Sequence, residues 1–251
     1  MNWPTASWHQ VRTISSIALR QADAEAVTAF GIEPLELMEV AGWQVARFVD
    51  AFTGGIRNKR VTVVAGSGNN GGDALVAARV LLQRGAIVSA SIMPSRDPNS
   101  LAGRHALTAR RLGIPILDAP QGIDPSADVL IDGLFGTGIH LPLREPAPAI
   151  IQAMNATSRP IVSIDVPSGM DADTGIGAES AVRAAATVTL VAPKAGLAGA
   201  SNTGRLFVAD IGMPVALFGA DGEALAALYA MGDLVELVAP ELTSAPHLTA
   251  S

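Results

Sequence analysis

From residue 60 onwards, short apolar runs rich in β-branched residues alternate with segments rich in Ala, Leu and Arg. Several of these runs are apolar throughout, which is typical of strands covered on both faces of a sheet. The alternation predicts an α/β protein: a three-layer αβα sandwich, Rossmann-like, with a mainly parallel sheet. The predicted strands are 60–65, 86–93, 114–117, 129–132, 160–165, 185–191 and 206–210, and the predicted helices are 73–84, 100–112, 145–154 and 222–231.

Two further helices are predicted before this alternating region. Residues 15–30 have Ser15 or Ser16 as a cap and Gly31 as a stop, and residues 34–52 carry apolar side chains at helical spacing. The boundaries that we expect are 1–14 for an N-terminal extension, 15–232 for a single domain and 233–251 for a C-terminal tail.

The composition excludes several classes of function. The chain has no cysteine, so disulfides, thiolate zinc sites and a cysteine nucleophile are excluded. The formal net charge of −6 argues against a general affinity for nucleic acid. No apolar run reaches the roughly 20 residues of a membrane span, and the N-terminus lacks a basic-then-apolar leader. We therefore expect a cytoplasmic protein that binds neither nucleic acid nor membranes.

The first strand of the alternating region ends in a glycine-rich loop, Gly66 to Asp73, and a helix follows at once. Glycines let a ligand approach the backbone, and a helix N-terminus presents free N–H groups that suit phosphate. The spacing Gly66-x-Gly68-x-x-Gly71 matches the dinucleotide fingerprint, which also expects a carboxylate at the end of the second strand. That carboxylate is absent from the sequence. The loop thus predicts a phosphate site rather than a mere turn. The missing carboxylate weakens the interpretation of the chain as an ordinary dehydrogenase.

Polar side chains also follow three later strands. Asp132 precedes a second glycine-rich loop, Asp165 precedes a Pro-Ser-Gly turn that contains Ser168, and Lys194 follows the sixth strand. Because parallel sheets bind ligands beyond the carboxyl ends of their strands, these residues are candidates for a ligand site. Lys194 either contacts a ligand phosphate or pairs with a carboxylate, and the sequence leaves both roles open.

Together these motifs resemble the NAD(P)H-hydrate epimerases, the family of the YjeF N-terminal domain. The resemblance covers roughly residues 15–230. It implies an isomerase that interconverts the R and S forms of NADHX and NADPHX, which are NADH and NADPH hydrated at C6 of the nicotinamide ring. It also implies a separate dehydratase that acts next on the S form, and we expect a homodimer. The segments that carry the resemblance are VTVVAGSGNNGGDALVAARVL, VLIDGLFGTGIHLPL, IVSIDVPSGMDADTG, TVTLVAPKAGL and LELMEVAGWQVARFV.

The resemblance further implies the positions of the site. A potassium ion would be bound by Asn70, Asp132 and Ser168, whose oxygens suit that cation. Inversion at C6 needs a proton donor and acceptor, whether the hydroxyl leaves or the ring opens. We take Asp165 as the catalytic group, and Lys194 as a second catalytic candidate that orients Asp165 or holds ligand charge. The residues implied to contact the substrate are Asn69, Asn70, Gly71, Gly72, Asp73, Gly136, Thr137, Gly138, Ile139, His140, Leu141, Pro142 and Asp165.

Two other functions stay open at this point. One is a nucleotide-dependent oxidoreductase, although the sequence offers no His or Tyr–Lys pair that suits a hydride site. The other is a non-catalytic nucleotide- or protein-binding module of the same fold. The acidic net charge and the presence of Asn70, Asp132, Asp165 and Ser168 argue against the binding module.

Overall fold

The computed structural model describes residues 2–93, 97–139, 141–177 and 181–238. Within these ranges the chain forms one nine-stranded sheet and six α-helices. The strands are β1 (Thr5–Ser7), β2 (Arg60–Ala65), β3 (Ile87–Ile92), β4 (Ile116–Asp118), β5 (Val129–Gly133), β6 (Ile161–Ile164), β7 (Ala186–Leu190), β8 (Arg205–Ala209) and β9 (Leu234–Val238). The helices are α1 (Ser16–Phe30), α2 (Pro34–Phe52), α3 (Asn69–Gln83), α4 (Leu101–Arg111), α5 (Ala147–Ala156) and α6 (Gly222–Tyr229).

The strand order across the sheet is β1-β9-β8-β7-β6-β5-β2-β3-β4. Neighbouring strands from β2 to β8 are parallel, whereas β9 pairs antiparallel with β8 and parallel with β1. The chain leaves β2 towards one edge of the sheet and resumes at β5 on the other side of β2. The loops after β2 and β5 therefore diverge and leave a crevice at the carboxyl ends of the strands. This topology confirms the predicted Rossmann-like α/β class.

Alternate residues of the central strands point into separate cores, which produces the three layers. Val61 and Val63 of β2 pack into a core shared with α1 to α4. Val64, the residue after Val63, points to the opposite face and packs with Ile150 and Ile151 of α5. Helices thus cover both faces of the central strands, as the apolar runs predict. None of the helices in the described part of the chain is long and apolar enough to cross a membrane.

The predicted elements match the observed ones within about two residues, except at the glycine-rich loop. Helix α3 begins at Asn69 rather than at the predicted residue 73. A Cβ on Gly71 would lie 1.9 Å from the carbonyl oxygen of Gly66, and a Cβ on Gly66 would lie 1.9 Å from that of Leu134. These glycines let the backbone segments pack closely against each other. Helix α3 therefore starts four residues after the end of β2, and the loop between them is shorter than predicted.

Both flanks of the predicted domain add strands to the same sheet. Thr5–Ser7, within the predicted N-terminal extension, forms β1, and Leu234–Val238, within the predicted tail, forms β9. Ala6 pairs with Leu237 across these two strands. The sheet therefore extends beyond residues 15 and 232 because the apolar side chains of these flanking strands are buried.

The N-terminus of helix α1 is fixed to loops at the carboxyl edge of the sheet. The N–H and hydroxyl groups of Ser16 donate to the Asp173 carboxylate at 2.9 and 2.6 Å, respectively. The N–H of Ile14 donates to the carbonyl of Pro193 at 2.9 Å. Asp173 follows β6 and Pro193 follows β7, so α1 is attached to two of the loops that carry predicted site residues.

Candidate active site

A cleft with a volume of about 400 Å³ lies beyond the carboxyl ends of β2 and β5, where the strand order reverses. The loops after these two strands supply most of its lining, and α1 supplies the rest. The lining residues are Arg20, Asp23, Ser67, Gly68, Asn69, Asn70, Leu134, Phe135, Gly136, Thr137 and Gly138. The cleft therefore occupies the position at which open parallel sheets bind ligands.

A second groove, of about 770 Å³, continues from this cleft and shares Phe135 and Gly138 with it. Ile139, Leu141 and Pro142, which are predicted substrate contacts, line this groove. The cleft and the groove together form an extended site, which suits a ligand longer than one nucleotide.

The first turn of α3 forms one wall of the cleft. Gly68 is the N-cap residue, and its carbonyl accepts hydrogen bonds from the N–H groups of Gly71 and Gly72 at 3.1 and 3.2 Å. The N–H groups of Asn69 and Asn70 have no hydrogen-bond partner within the described residues. Free N–H groups and the positive end of the helix dipole make this wall attractive to an anion.

The side chain of Asn70 connects α3 with the end of β6. Its Nδ2 donates to the carbonyl of Ile164 at 3.2 Å, and the residue is buried. Its Oδ1 lies 3.5 Å from the point where a Cβ on Gly136 would stand. No group of the described residues donates a hydrogen bond to this Oδ1, so it is a free acceptor beside the loop after β5.

Asp132 lies at the end of β5 and is completely buried. Its Oδ1 accepts the Ser168 hydroxyl at 2.6 Å and the Leu134 N–H at 3.2 Å. Its Oδ2 accepts the Ser163 hydroxyl at 2.8 Å and the Ser168 N–H at 2.9 Å. Burial raises the pKa of Asp132, although these hydrogen bonds act in the opposite direction. Four donors thus fill the lone-pair positions of the carboxylate and join the loops after β5 and β6.

Asp165 directly follows β6 and has a left-handed backbone, with φ of 67°. The N–H of Val166 donates back to the carbonyl of Ile164 at 2.8 Å, which closes a three-residue turn around Asp165. Such turns with positive φ are rare and strained, and strain of this kind is concentrated at functional sites. The turn directs the carboxylate towards the end of β7, where its Oδ1 accepts the N–H of Leu190 at 3.2 Å.

The two oxygens of the Asp165 carboxylate have different surroundings. Oδ1 forms an ion pair with the ammonium group of Lys194. Oδ2 accepts the N–H of Thr137 at 3.3 Å and lies 2.9 Å from the point where a Cβ on Gly136 would stand. Because Gly136 and Thr137 line the cleft, Oδ2 is the oxygen that faces it.

Lys194 is buried, with 1% of its surface exposed. Besides Asp165, its Nζ donates to Thr189 Oγ1 at 2.8 Å and to the carbonyl of Leu190 at 2.7 Å. All three ammonium protons are therefore used inside the protein. Of the two roles that the sequence leaves open, the contacts correspond to pairing with a carboxylate.

Two further carboxyl groups act electrostatically on this pair. Asp73 of α3 is buried, and its pKa lies well above the usual range because of burial and then the negative charges of Asp165 and Asp23. Asp23 of α1 lines the cleft, and its pKa is raised by burial and by Asp165 and lowered by Lys194. Sequence reasoning missed Asp23 and its neighbour Arg20, because helical periodicity identifies the core-facing side of α1 but not what its polar side faces.

The remaining predicted substrate contacts fall into three groups. Gly71 and Gly72 pack inward, and a Cβ on Gly72 would lie 2.4 Å from the sulfur of Met38. His140 lies outside the described residues. The predicted contacts that line the cleft are Asn69, Asn70, Gly136, Thr137 and Gly138, and the Asp165 carboxylate is hydrogen-bonded to one of them, Thr137.

The fold and the cleft define a Rossmann-like α/β protein with a cleft at the topological switch point of its sheet, where proteins of this class bind ligands. More narrowly, the chain belongs to the family described as YjeF-related protein N-terminus, whose model matches residues 34–196. The matched range runs from the start of α2 to the loop after β7 and contains Asn70, Asp132, Asp165 and Lys194. Helix α1 lies outside it.

Curated relatives and a solved structure agree with this membership. The chain is 34% identical to an NAD(P)H-hydrate epimerase of Rhodopirellula baltica, over 85% of this chain and 86% of the relative. It is 36% identical to a bifunctional NAD(P)H-hydrate repair enzyme of Moorella thermoacetica over 80% of this chain, and it spans only 40% of that relative. The crystal structure of the yeast protein ynu0 superimposes with a TM-score of 0.72 at 28% identity, covering 79% of this chain and 88% of the yeast chain.

Proposed function

We propose that this protein is an NAD(P)H-hydrate epimerase, an isomerase that interconverts the R and S forms of NADHX and NADPHX. One observation carries the proposal: Oδ2 of Asp165 faces the cleft beside the free N–H groups at the start of α3. A proton-transfer group and an anion-binding wall thus share one site, as a phosphorylated substrate with a reacting ring requires. The epimerase relatives, similar over most of their length, support the same assignment.

The diphosphate of the substrate would bind at the N–H groups of Asn69 and Asn70, with the guanidinium of Arg20 on the facing helix. The nicotinamide ring would then lie near Gly136 and Asp165, and the remainder of the dinucleotide would extend along the adjoining groove. The absence of a side chain on Gly136 leaves room for the ring next to the Asp165 carboxylate.

Asp165 would transfer the proton on which inversion at C6 depends. Loss of the C6 hydroxyl as water requires a proton donor, and addition of water to the other face requires an acceptor. Lys194 would act as a positioning residue, since its three donors hold Oδ1 of Asp165, Thr189 and the Leu190 carbonyl in one place. The ion pair leaves Oδ2 free to face the substrate.

The residues at the end of β5 fit the potassium ion that we propose as a cofactor. Asn70 offers an amide oxygen that accepts no hydrogen bond from the described residues, and the Ser168 hydroxyl has the Phe135 carbonyl 3.3 Å away as an alternative acceptor. Rotation of that hydroxyl would release Oδ1 of Asp132 for a cation. Potassium favours a set of mostly neutral oxygen ligands. In this set the amide and hydroxyl oxygens are neutral, and Asp132 supplies the one negative charge. The ion would neutralise this buried charge and order the loop after β5.

The wider context of the reaction is also a proposal. The bifunctional relatives are more than twice as long as the segment that they share with this chain, and we infer that the S epimer passes from this protein to a dehydratase. We further propose that the protein acts in the cytoplasm as a homodimer that binds a small-molecule dinucleotide.

The direct test is to follow purified (R)-NADHX and (R)-NADPHX by proton NMR with and without the protein. We expect the protein to accelerate their approach to the R/S equilibrium. Gly136→Ala should slow that approach, because the new methyl group would lie 2.9 Å from Oδ2 of Asp165. Rates equal to the uncatalysed ones for both substrates would contradict the proposed function.

A further inference from the structure

Helix α1 contributes polar groups to the cleft although it lies outside the range that the family model matches. Leu19, Ala22 and Ala26 form its buried side, and Asp23 stands on the side that lines the cleft. The attachment of Ser16 to Asp173 fixes the start of the helix against the loop after β6. The position of Asp23 is therefore set by the same loops that carry the reacting groups.

Asp23 and the proposed proton-transfer group meet at the same cleft. Asp23 lines the cleft, and the Asp165 carboxylate accepts the N–H of Thr137, another lining residue, at 3.3 Å. Asp165 contacts the cleft wall through the N–H of Thr137 from the carboxyl end of β6, whereas Asp23 lines the cleft from helix α1. A ring held between the sheet and α1 would have one carboxyl group on each side.

We propose that Asp23 is a second catalytic carboxyl group, which works with Asp165 from the opposite face of the nicotinamide ring. This inference rests on the proposed epimerase function. C6 of the substrate carries a hydroxyl group next to the ring nitrogen, so its chemistry is that of a hemiaminal. Hydrolysis of glycosides with inversion uses two carboxyl groups on opposite faces for the same reason: one side loses a leaving group while the other admits water.

The step balances without any oxidant or reductant. One carboxylic acid protonates the C6 hydroxyl, the C6–O bond breaks, and water leaves with the bonding electrons while the ring nitrogen lone pair forms a C=N⁺ bond. Water then adds to C6 from the other face and gives a proton to the opposite carboxylate. The reverse conversion exchanges the roles of Asp23 and Asp165, so both directions use the same two groups.

The excess of carboxyl groups also suits the cationic intermediate. The charged groups that interact electrostatically with Asp23 are Asp165 after β6, Lys194 after β7 and Asp73 of α3, and Arg20 lines the cleft from its own helix. Lys194 is already paired with Asp165. After the proton transfer both carboxyl groups are ionised. Lys194 compensates the charge of Asp165, so the charge of Asp23 is the one that remains to stabilise the iminium carbon.

The test compares Asp23→Asn with Glu25→Gln, a matched loss of one charge on an exposed position of the same helix. Asp23→Asn should lower kcat for epimer equilibration at least ~100-fold, the lower end for loss of an acid–base group, with KM nearly unchanged. Glu25→Gln should match the parent. Asp23→Glu, which keeps the carboxyl group, should recover part of the rate. The pH–rate profile of Asp23→Asn should lose one of the two limbs of the parent profile.

The results distinguish a catalytic role of Asp23 from a binding role and from a structural role. A parent-like kcat for Asp23→Asn overturns the proposal, and so does a change in KM alone, which would make Asp23 a binding group. A rate lost equally in Asp23→Asn and Asp23→Glu, with the pH profile unchanged in shape, would show a structural effect and also overturn it. If the parent itself fails to equilibrate the epimers, the proposed function fails first and this inference falls with it.

Discussion

Asp132 and Asp165 occupy equivalent places in the fold, at the carboxyl ends of the neighbouring strands β5 and β6, and yet their surroundings differ. Asp132 is completely buried and is held by four neutral hydrogen-bond donors. Asp165 is 9% exposed, is paired with the buried Lys194, and has one oxygen on the cleft wall. The same residue type at the same kind of position thus joins loops in one case and contacts the wall of the cleft in the other.

The backbone accounts for much of this difference. Asp132 keeps strand geometry and is paired within the sheet, so its side chain points among the layers. Asp165 adopts a φ of 67°, which turns its side chain across the end of β7. A carboxylate that only supports the fold needs no such strained turn, and we take the strain as a mark of function.

The largest expected effect is that of Asp165→Asn. Epimer equilibration should fall at least ~100-fold because the amide cannot transfer a proton. The variant should also lose about 3–5 kcal/mol of unfolding free energy at neutral pH, since Lys194 remains buried without its charged partner. Denaturant unfolding and the NMR assay measure the two effects.

The double variant Asp165→Asn with Lys194→Met separates stability from catalysis. Removal of both charges should recover most of the unfolding free energy and none of the activity. Recovery of activity in the double variant would contradict the assignment of Asp165 as the proton-transfer group.

The second effect concerns Asp132 and the contribution of its hydrogen bonds to stability. Asp132→Ala should lower the unfolding free energy by about 4 kcal/mol, because the N–H groups of Leu134 and Ser168 would be buried without acceptors. Ser163→Ala, which removes a single donor to the same carboxylate, should cost about 1 kcal/mol. Equal losses for the two variants would show that the four-donor arrangement is not what stabilises the loops.

The third effect concerns potassium. Potassium at about 100 times its dissociation constant should stabilise the parent by about 2.7 kcal/mol relative to choline at equal ionic strength. Asn70→Ala should abolish this difference, because it removes the free amide oxygen, whereas Asn69→Ala should retain it. Thermal unfolding in the two salts measures the effect, and a parent that does not respond to potassium would contradict the proposed cofactor.

The smallest expected effect is on the pH dependence of stability, through Asp73, whose carboxyl group interacts with Asp165. The pKa of Asp73 is raised in the folded protein, so the folded state holds this proton to a higher pH than the unfolded chain does. The parent therefore loses stability as the pH rises from about 4 towards the raised pKa. Asp73→Asn escapes this loss and should therefore be slightly more stable than the parent at pH 7.

Asp171→Asn provides the opposite control for that pH dependence. Hydrogen bonds from Thr174 hold the pKa of Asp171 below its usual range, so its charged form stabilises the folded state above the unfolded pKa. Its removal should destabilise the protein slightly at neutral pH, and the difference should vanish as the pH falls through the lowered pKa. The same sign for Asp73→Asn and Asp171→Asn in unfolding curves measured from pH 4 to 8 would contradict the assigned directions.

The strand ends were predictable because local sequence carries that information. Apolar runs of β-branched residues define the strands, and the polar residue that follows each run must lie at the edge of a parallel sheet. Asp132 and Asp165 were therefore found without the structure. The start of α3 was not, because glycine has a low helix propensity and its use here depends on the approach of the Gly66 and Leu134 carbonyls.

The sequence by itself determined the class of fold, the order of the elements and the family to which the chain belongs. Tertiary structure alone decided the partnerships: Lys194 with Asp165, Ser16 with Asp173, and Asp23 with the cleft. Ser16 and Asp173 are 157 residues apart in the chain, and no periodic pattern relates residues at such a separation. Periodicity reports which side of an element is buried, whereas the charge and proton affinity of a carboxylate depend on the groups that folding brings next to it.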